Sequence, residues 1–317
     1  MATVNEVVFS DLYITPGKRA YMWSGKTAHG LKEVTFDDYA EFLAAVERGY
    51  KNTPSYLVIY NKYSYRVERT IALHGVQYCV RKMPLNVPSV KDLGMPAPIM
   101  RHLLSLGRAS GLILVAGATG SGKSTTLGAL LKDYLMTEGG YAFTIEDPIE
   151  LPLDGVYKNP NGELGLCKQT TPQNGNWKDS LKSALRSCPR YIMLGEIRSP
   201  DVASEALQAA TSGHLVLSTI HANSVQDAIN ALVKYAAAST VSEEMAYDLV
   251  STSILACLHQ RLYGVPKKLR LSTLFANPDV EQGCQVRGAI KSGKLNFATM
   301  MESQSIKMAN GQPLFGF

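Results

Sequence analysis

Apolar and β-branched residues cluster over Val7–Ile14, Tyr56–Tyr60, Ser64–Leu73 and Val76–Lys82 and predict strands, with His74-Gly75 as the turn between the last two. Phe36, Tyr39, Ala40, Leu43 and Val46 recur at helical spacing. They predict a helix over Phe36–Arg48, capped by Thr35, with Asp37 and Asp38 in its first turn. Residues 1–82 therefore read as a small α+β unit, an antiparallel sheet with a helix on one face. Residues 83–98 carry Pro84, Pro88, Pro96 and Pro98, which fix φ and remove donors, so a stiff linker and a domain boundary are expected there. Over 99–317 strands and helices alternate. Gly111–Ala116, Ala142–Ile145, Tyr191–Leu194 and His214–Thr219 are continuous apolar runs, as a parallel sheet covered on both faces requires. The polar stretch 154–177 reads as a surface loop with at most one short strand.

Composition narrows this picture only slightly. A chain of 317 residues allows two domains, and 45% hydrophobic against 19% charged residues excludes general disorder. Lysine and arginine exceed aspartate and glutamate by 32 − 27 = +5, which permits an anionic partner without requiring one. The five cysteines form no C-x-x-C pair, so neither a zinc ribbon nor a dithiol redox motif is indicated, and a reducing cytoplasm is expected. The longest plainly apolar run, Gly111–Ala118, is far short of a membrane span, and the first residues do not resemble a signal peptide.

The chemistry concentrates at strand ends. Gly117-Ala118-Thr119-Gly120-Ser121-Gly122-Lys123-Ser124 fits G-x-x-x-x-G-K-[ST], followed by Thr125. It follows an apolar strand and opens a helix over Ser124–Leu135 whose stripe is Leu127, Leu130, Leu131 and Leu135. Glycines let the backbone curl so that several N–H groups converge on phosphate, and the helix start adds its positive end. Lys123 is expected to reach the β- and γ-phosphates, and Ser124 to supply a hydroxyl to Mg²⁺. Tyr191–Leu194 ends in Gly195-Glu196, an acid placed where metal and attacking water must lie. A second cluster, Glu146, Asp147 and Glu150, closes another strand, with Glu146 and Asp147 nearer its end. His214 and His221 flank a further strand; a strand between them holds the rings apart, so no metal pair is expected, and His221 stands at the carboxyl end.

Taken together these residues resemble the secretion and traffic ATPases: PilT-like retraction motors, GspE-like type II motors, and type IV secretion and conjugation ATPases. The family's Walker A box is similar to Gly117–Thr125, its Asp box to Thr144–Glu150, its Walker B box to Ile192–Arg198 and its His box to Gly213–His221. Ser10–Ile14 resembles a Ser-Asp-Leu-His-Ile strand, with Tyr13 in place of the histidine, and Arg81-Lys82-Met83-Pro84 a linker motif. The resemblance implies a PAS-like N-terminal domain followed by a RecA-like P-loop NTPase domain, with ATP and Mg²⁺ held between subunits of a homohexamer. It assigns catalytic roles to Glu196, Glu146 and His221, and metal contacts to Ser124, Glu146 and Glu196. Arg66 and Arg81, with Arg69 a looser match, would reach the neighbour's nucleotide, and Arg186 and Arg198 match arginines near the subunit interface. It also implies a cytoplasmic motor held at the inner membrane by a platform protein of a pilus or secretion apparatus, without direct nucleic-acid binding.

The chain departs from the pattern in places. Where the family has Asp directly after the Walker B Glu-x-Arg, Ser199-Pro200 intervene before Asp201. No four-cysteine zinc module is present, which favours the compact retraction and type IVB secretion or conjugation branches. Cys188-Pro189-Arg190 points toward the latter. Two rival readings are a RecA-like nucleic-acid translocase and a P-loop scaffold without turnover. The first lacks a basic stripe with interleaved aromatics, and the second is opposed by intact Lys123, Ser124 and Glu196.

Overall fold

The computed structural model describes residues 2–24, 30–173, 175–239 and 242–315. Two compact units are seen: Met1–Asn86 with Pro148–Pro152, and Val87–Asp147 with Leu153–Phe317. The first holds β1 (Asp11–Ile14), β2 (Ala20–Trp23), β3 (Lys32–Val34), α1 (Tyr39–Arg48), β4 (Ser55–Tyr60), β5 (Tyr63–Ala72) and β6 (Gly75–Lys82). Its strands form an antiparallel sheet in the order β3-β2-β1-β6-β5-β4. Leu12, Val80 and Val67 share one row of the register and are fully buried in one core with Phe42 and Val46 of α1. Phe42 meets Tyr60 and Tyr65 edge-on at 5.3 and 4.9 Å. The neighbouring row, Leu57–Arg66–Arg81, occupies the other face.

Three expectations for this unit change. The first strand begins at Asp11, not Val7, and Val8 is largely exposed. The helix starts at Tyr39 with Asp38, not Thr35, at its N-cap, and Asp38 Oδ1 is instead taken by the Val4 amide at 2.9 Å. Strands β2 (4 residues) and β3 (3 residues) are too short to give a periodic signal.

The second unit holds a 3₁₀ turn Val90–Leu93, α2 (Ala97–Ser105), β7 (Gly111–Ala116), α3 (Lys123–Thr137), β8 (Gly140–Ile145), β9 (Gly155–Lys158), β10 (Leu164–Thr170), α4 (Trp177–Arg186) and β11 (Tyr191–Leu194). It continues through α5 (Pro200–Thr211), β12 (Leu215–Ile220), α6 (Val225–Ala237), α7 (Glu243–Ser253), β13 (Ile254–Tyr263), β14 (Lys268–Phe275), α8 (Gln285–Lys291) and α9 (Ala298–Ala309). The sheet order is β14-β13-β7-β12-β11-β8-β10-β9, parallel from β13 to β10 with an antiparallel strand at each edge. Every residue of β7, β11 and β12 is buried, the pattern of strands covered on both faces.

The stretch 154–177 contains two strands, not a loop with one. β10 pairs in parallel with β8, and β9 hairpins onto it. Gly165 permits this: a Cβ there would lie 2.6 Å from the Leu135 carbonyl oxygen. The proline-rich stretch is also more than a linker. Val87, Val90 and Met95 are buried. Asp133 Oδ2 of α3 accepts hydrogen bonds from Ser89 Oγ and the Val90 amide, both 2.9 Å, and Lys132 Nζ donates to the Val87 carbonyl at 2.6 Å. Among the described residues no helix is long and apolar enough to cross a membrane.

Candidate active site

The glycine-rich loop joins β7 to α3. Gly117, Gly120 and Gly122 have φ of 152°, 74° and 86°, a run that side chains would strain. Gly117 has no room for one either, since a Cβ would lie 2.4 Å from the Gln260 carbonyl oxygen. Ala118, Thr119 and Gly120 are exposed, whereas Ser121 and Lys123 are buried. Lys123 Nζ donates to the carbonyls of Gly117 and Ala118 at 2.9 and 3.0 Å. Ser121 Oγ is buried without a hydrogen-bond partner, an orphaned polar atom inside the curl. Ser124 and Thr125 open the helix, half-buried. A left-handed glycine turn, free N–H groups at a helix start and an adjacent ammonium suit a polyphosphate chain.

One residue that holds this loop escaped the sequence reading. Gln260 of β13 is 2% exposed; its Nε2 donates to the Ser121 carbonyl at 2.7 Å, and its Oε1 accepts from Thr126 Oγ1 at 2.8 Å. One amide thus ties the loop to the first turn of α3. No local pattern marked it, because Gln260 stands between the polar His259 and Arg261 at the end of the apolar run Ile254–Leu258.

The acids come together along the carboxyl edge of the sheet. Moving away from β7, the strand ends carry His221 after β12, Glu196 after β11 and Glu146 after β8. His221 Nε2 and Glu196 Oε1 are 3.1 Å apart, which makes the pair an ion pair whenever the imidazole is protonated. Gly195 lies beside Glu146; a Cβ on Gly195 would stand 3.4 Å from Glu146 Cα, an ordinary contact distance. Glu146 is 4% exposed, and its Oε1 accepts from Thr144 Oγ1 and Gln169 Nε2, both at 2.8 Å. Thr219 Oγ1 donates to the Gly195 carbonyl at 2.7 Å and fixes the turn that carries Glu196.

Among the described residues no three His, Cys, Asp or Glu side chains form a metal cage. Mg²⁺ does not ask for one: it takes one or two protein oxygens, keeps waters, and is completed by substrate phosphates. Ser124, Glu196 and Glu146 each carry an oxygen of that chemistry, and any one or two of them could serve.

Other sequence candidates lie elsewhere. His214 sits at the amino end of β12, where Nδ1 is 2.6 Å from the Pro189 carbonyl, away from the acidic edge. Asp147 and Glu150 are exposed, and Glu150 falls in the segment grouped with the first unit. Arg66 and Arg81 belong to that unit too and stand directly opposite each other across β5 and β6. Arg81 Nε donates to the buried Asp11 at 2.8 Å, an acid whose pairing raises the guanidinium pKa further. Arg69 stacks over the Tyr50 ring at 4.4 Å. Arg186 and Arg198 are exposed.

The family model described as "Type II/IV secretion system protein" matches residues 55–305. A putative type II secretion system protein E of Escherichia coli (strain K12) is 36% identical over 62% of this chain and 37% of its own length. A twitching motility protein of Neisseria gonorrhoeae is 31% identical over 73% of this chain and 59% of its own. This chain therefore spans less than two thirds of either relative. Among solved structures, the pilus retraction motor PilT with bound ADP superposes with a TM-score of 0.71 at 25% identity, over 98% of this chain and 88% of that one. The ATPase DotB of Legionella pneumophila gives 0.72 at 22% identity, over 96% and 88%, a likeness of fold. With a family model covering most of its length and the phosphate loop and acidic edge in place, the chain belongs to the type II/IV secretion system protein family.

Proposed function

We propose that this chain is an ATP-hydrolysing motor subunit, a PAS-like domain followed by a RecA-like one, that works as a homohexamer on a pilus or secretion apparatus. The observation that carries the reading is the shared sheet edge, with the phosphate loop, His221, Glu196 and Glu146 on four successive strand ends. Lys123 exchanges its loop carbonyls for β- and γ-phosphate oxygens, and Ser124 would hold Mg²⁺ through its hydroxyl. Bound Mg²⁺ supplies charge neutralisation on the phosphates. Glu196 accepts the proton of the attacking water, and His221, 3.1 Å away, orients that carboxylate. Glu146, held by Thr144 and Gln169, keeps the next position along the edge acidic.

Arg66 and Arg81 answer from the adjacent subunit, where two guanidiniums side by side offer a fork to developing phosphate charge. Such a ring is cytoplasmic and reaches the inner membrane through a platform protein. The experiment mixes two inactive full-length variants, Lys123→Ala and Arg66→Ala/Arg81→Ala. Sites shared between subunits should recover about a quarter of wild-type turnover, because random mixing leaves that share of interfaces with both an intact loop and intact arginines. A mixture as inactive as its components would remove the shared-site reading.

A further inference from the structure

A second electropositive place lies on the opposite face of β13 from Gln260. In the antiparallel register of β13 and β14, Arg261 stands directly across from Arg270, and His259 across from Ser272. Residues two apart on a strand share a face, so these four project together. Opposed like charges destabilise a strand pair, and the cost is relieved by an anion between them. Among the described residues neither arginine makes an ion pair; Arg261 Nη2 donates only to the Asn223 carbonyl, at 3.2 Å.

The patch faces a cleft of about 510 Å³ into which the first turns of α6 and α9 also open. An α-helix leaves its first N–H groups without intrahelical partners. On α6, Ser224 Oγ takes that of Asp227; on α9, Asn296 Oδ1 accepts from the Ala298 amide at 3.2 Å, and the N-cap residue, Phe297, adds no side-chain cap to the amides that follow. A further observation singles the cleft out. His259 lines it at 7% exposure, yet neither ring nitrogen has a hydrogen-bond partner among the described residues. Burial, and then Arg261, lower its pKa, so it presents a neutral ring with an N–H to donate.

The charge count selects the ligand. Two guanidiniums and two helix starts of roughly half a charge each, less the carboxylate of Asp227 nearby, leave about +2. A lone carboxylate would leave that half satisfied, whereas a dianion balances it. Planar guanidinium forks and free backbone amides are also the groups that suit phosphate oxygens.

We propose that this cleft, formed by Arg261, Arg270, His259 and the starts of α6 and α9, is a binding site for a phosphate-class oxyanion, separate from the glycine-rich loop. The test uses the full chain carrying Lys123→Ala, which disables the loop, and radiolabelled pyrophosphate in equilibrium dialysis. One pyrophosphate per chain should still bind. Adding Arg261→Gln and Arg270→Gln should weaken it at least about tenfold, and His259→Ala should weaken it without changing net charge. Hydrogen exchange supplies a reading independent of affinity: pyrophosphate should slow the amides at 223–227 and 297–300, and the arginine variant should abolish that protection. Competition by ADP would assign the site to a nucleotide's phosphates, and its failure to free phosphate; either supports the proposal. No binding in the Lys123→Ala chain, undiminished binding after the arginine substitutions, or equal displacement by acetate at matched ionic strength would overturn it.

Discussion

Gln260 shows how much one buried amide does. It satisfies the Ser121 carbonyl and the Thr126 hydroxyl at once. Gln260→Leu leaves both without a partner in a dry site, so stability should fall by about 1–3 kcal/mol in urea unfolding. The same variant should raise the KM for ATP more than it lowers kcat, because it loosens the loop without touching Glu196. His102 of α2 is a second residue with a readable consequence. Its ring packs edge-on against Phe275 at 4.5 Å, and burial lowers its pKa to about 4. Between pH 6.5 and 4 the unfolded chain binds the proton more tightly, so stability falls as pH falls, by at most about 3 kcal/mol from this group. His102→Phe should flatten that part of the curve, as unfolding at pH 7 and pH 5 would record. At this scale the sequence pointed to the residues whose chemistry is local, Lys123, Ser124 and the strand-end acids. It was silent on Gln260, whose partners lie 134 and 139 positions away.

Elements follow the same division. The runs that became β7 and β11 were legible to the residue, because a strand buried on both faces is a continuous apolar word. β9 and β10 were not, since β10 alternates exposed Leu164 and Leu166 with buried Gly165 and Cys167 near one edge of the sheet. Proline in 83–98 predicted a stiff linker but hid the anchoring of that stretch. Its hold on α3 comes from Ser89, Val90 and Asp133, residues with no local pattern. Asp133→Ala should release the 3₁₀ turn, cost about 1.5–3 kcal/mol, and speed amide exchange over Ser89–Leu93. Unchanged exchange there would mean that the buried Val87 and Val90 suffice to hold the turn.

At the scale of the whole molecule, the two units divide the labour that the family resemblance assigns. The second carries the loop and the acidic edge; the first carries Arg66 and Arg81. The order of motifs along the chain was visible in the sequence, but their assembly was not. Only the crossing order of the sheet shows that Glu146, the earliest acid, stands farthest from the loop, and that His221, the last, stands beside it. The function proposed for the molecule rests on ATP hydrolysis at this edge. It is tested most directly by steady-state phosphate release from the full chain with ATP and Mg²⁺, set against Lys123→Ala and Glu196→Gln. Turnover is expected from the unaltered chain, with a fall of at least about a hundredfold in each variant and retained nucleotide binding in Glu196→Gln. Turnover that survives both substitutions, or its absence from the unaltered chain, would contradict it.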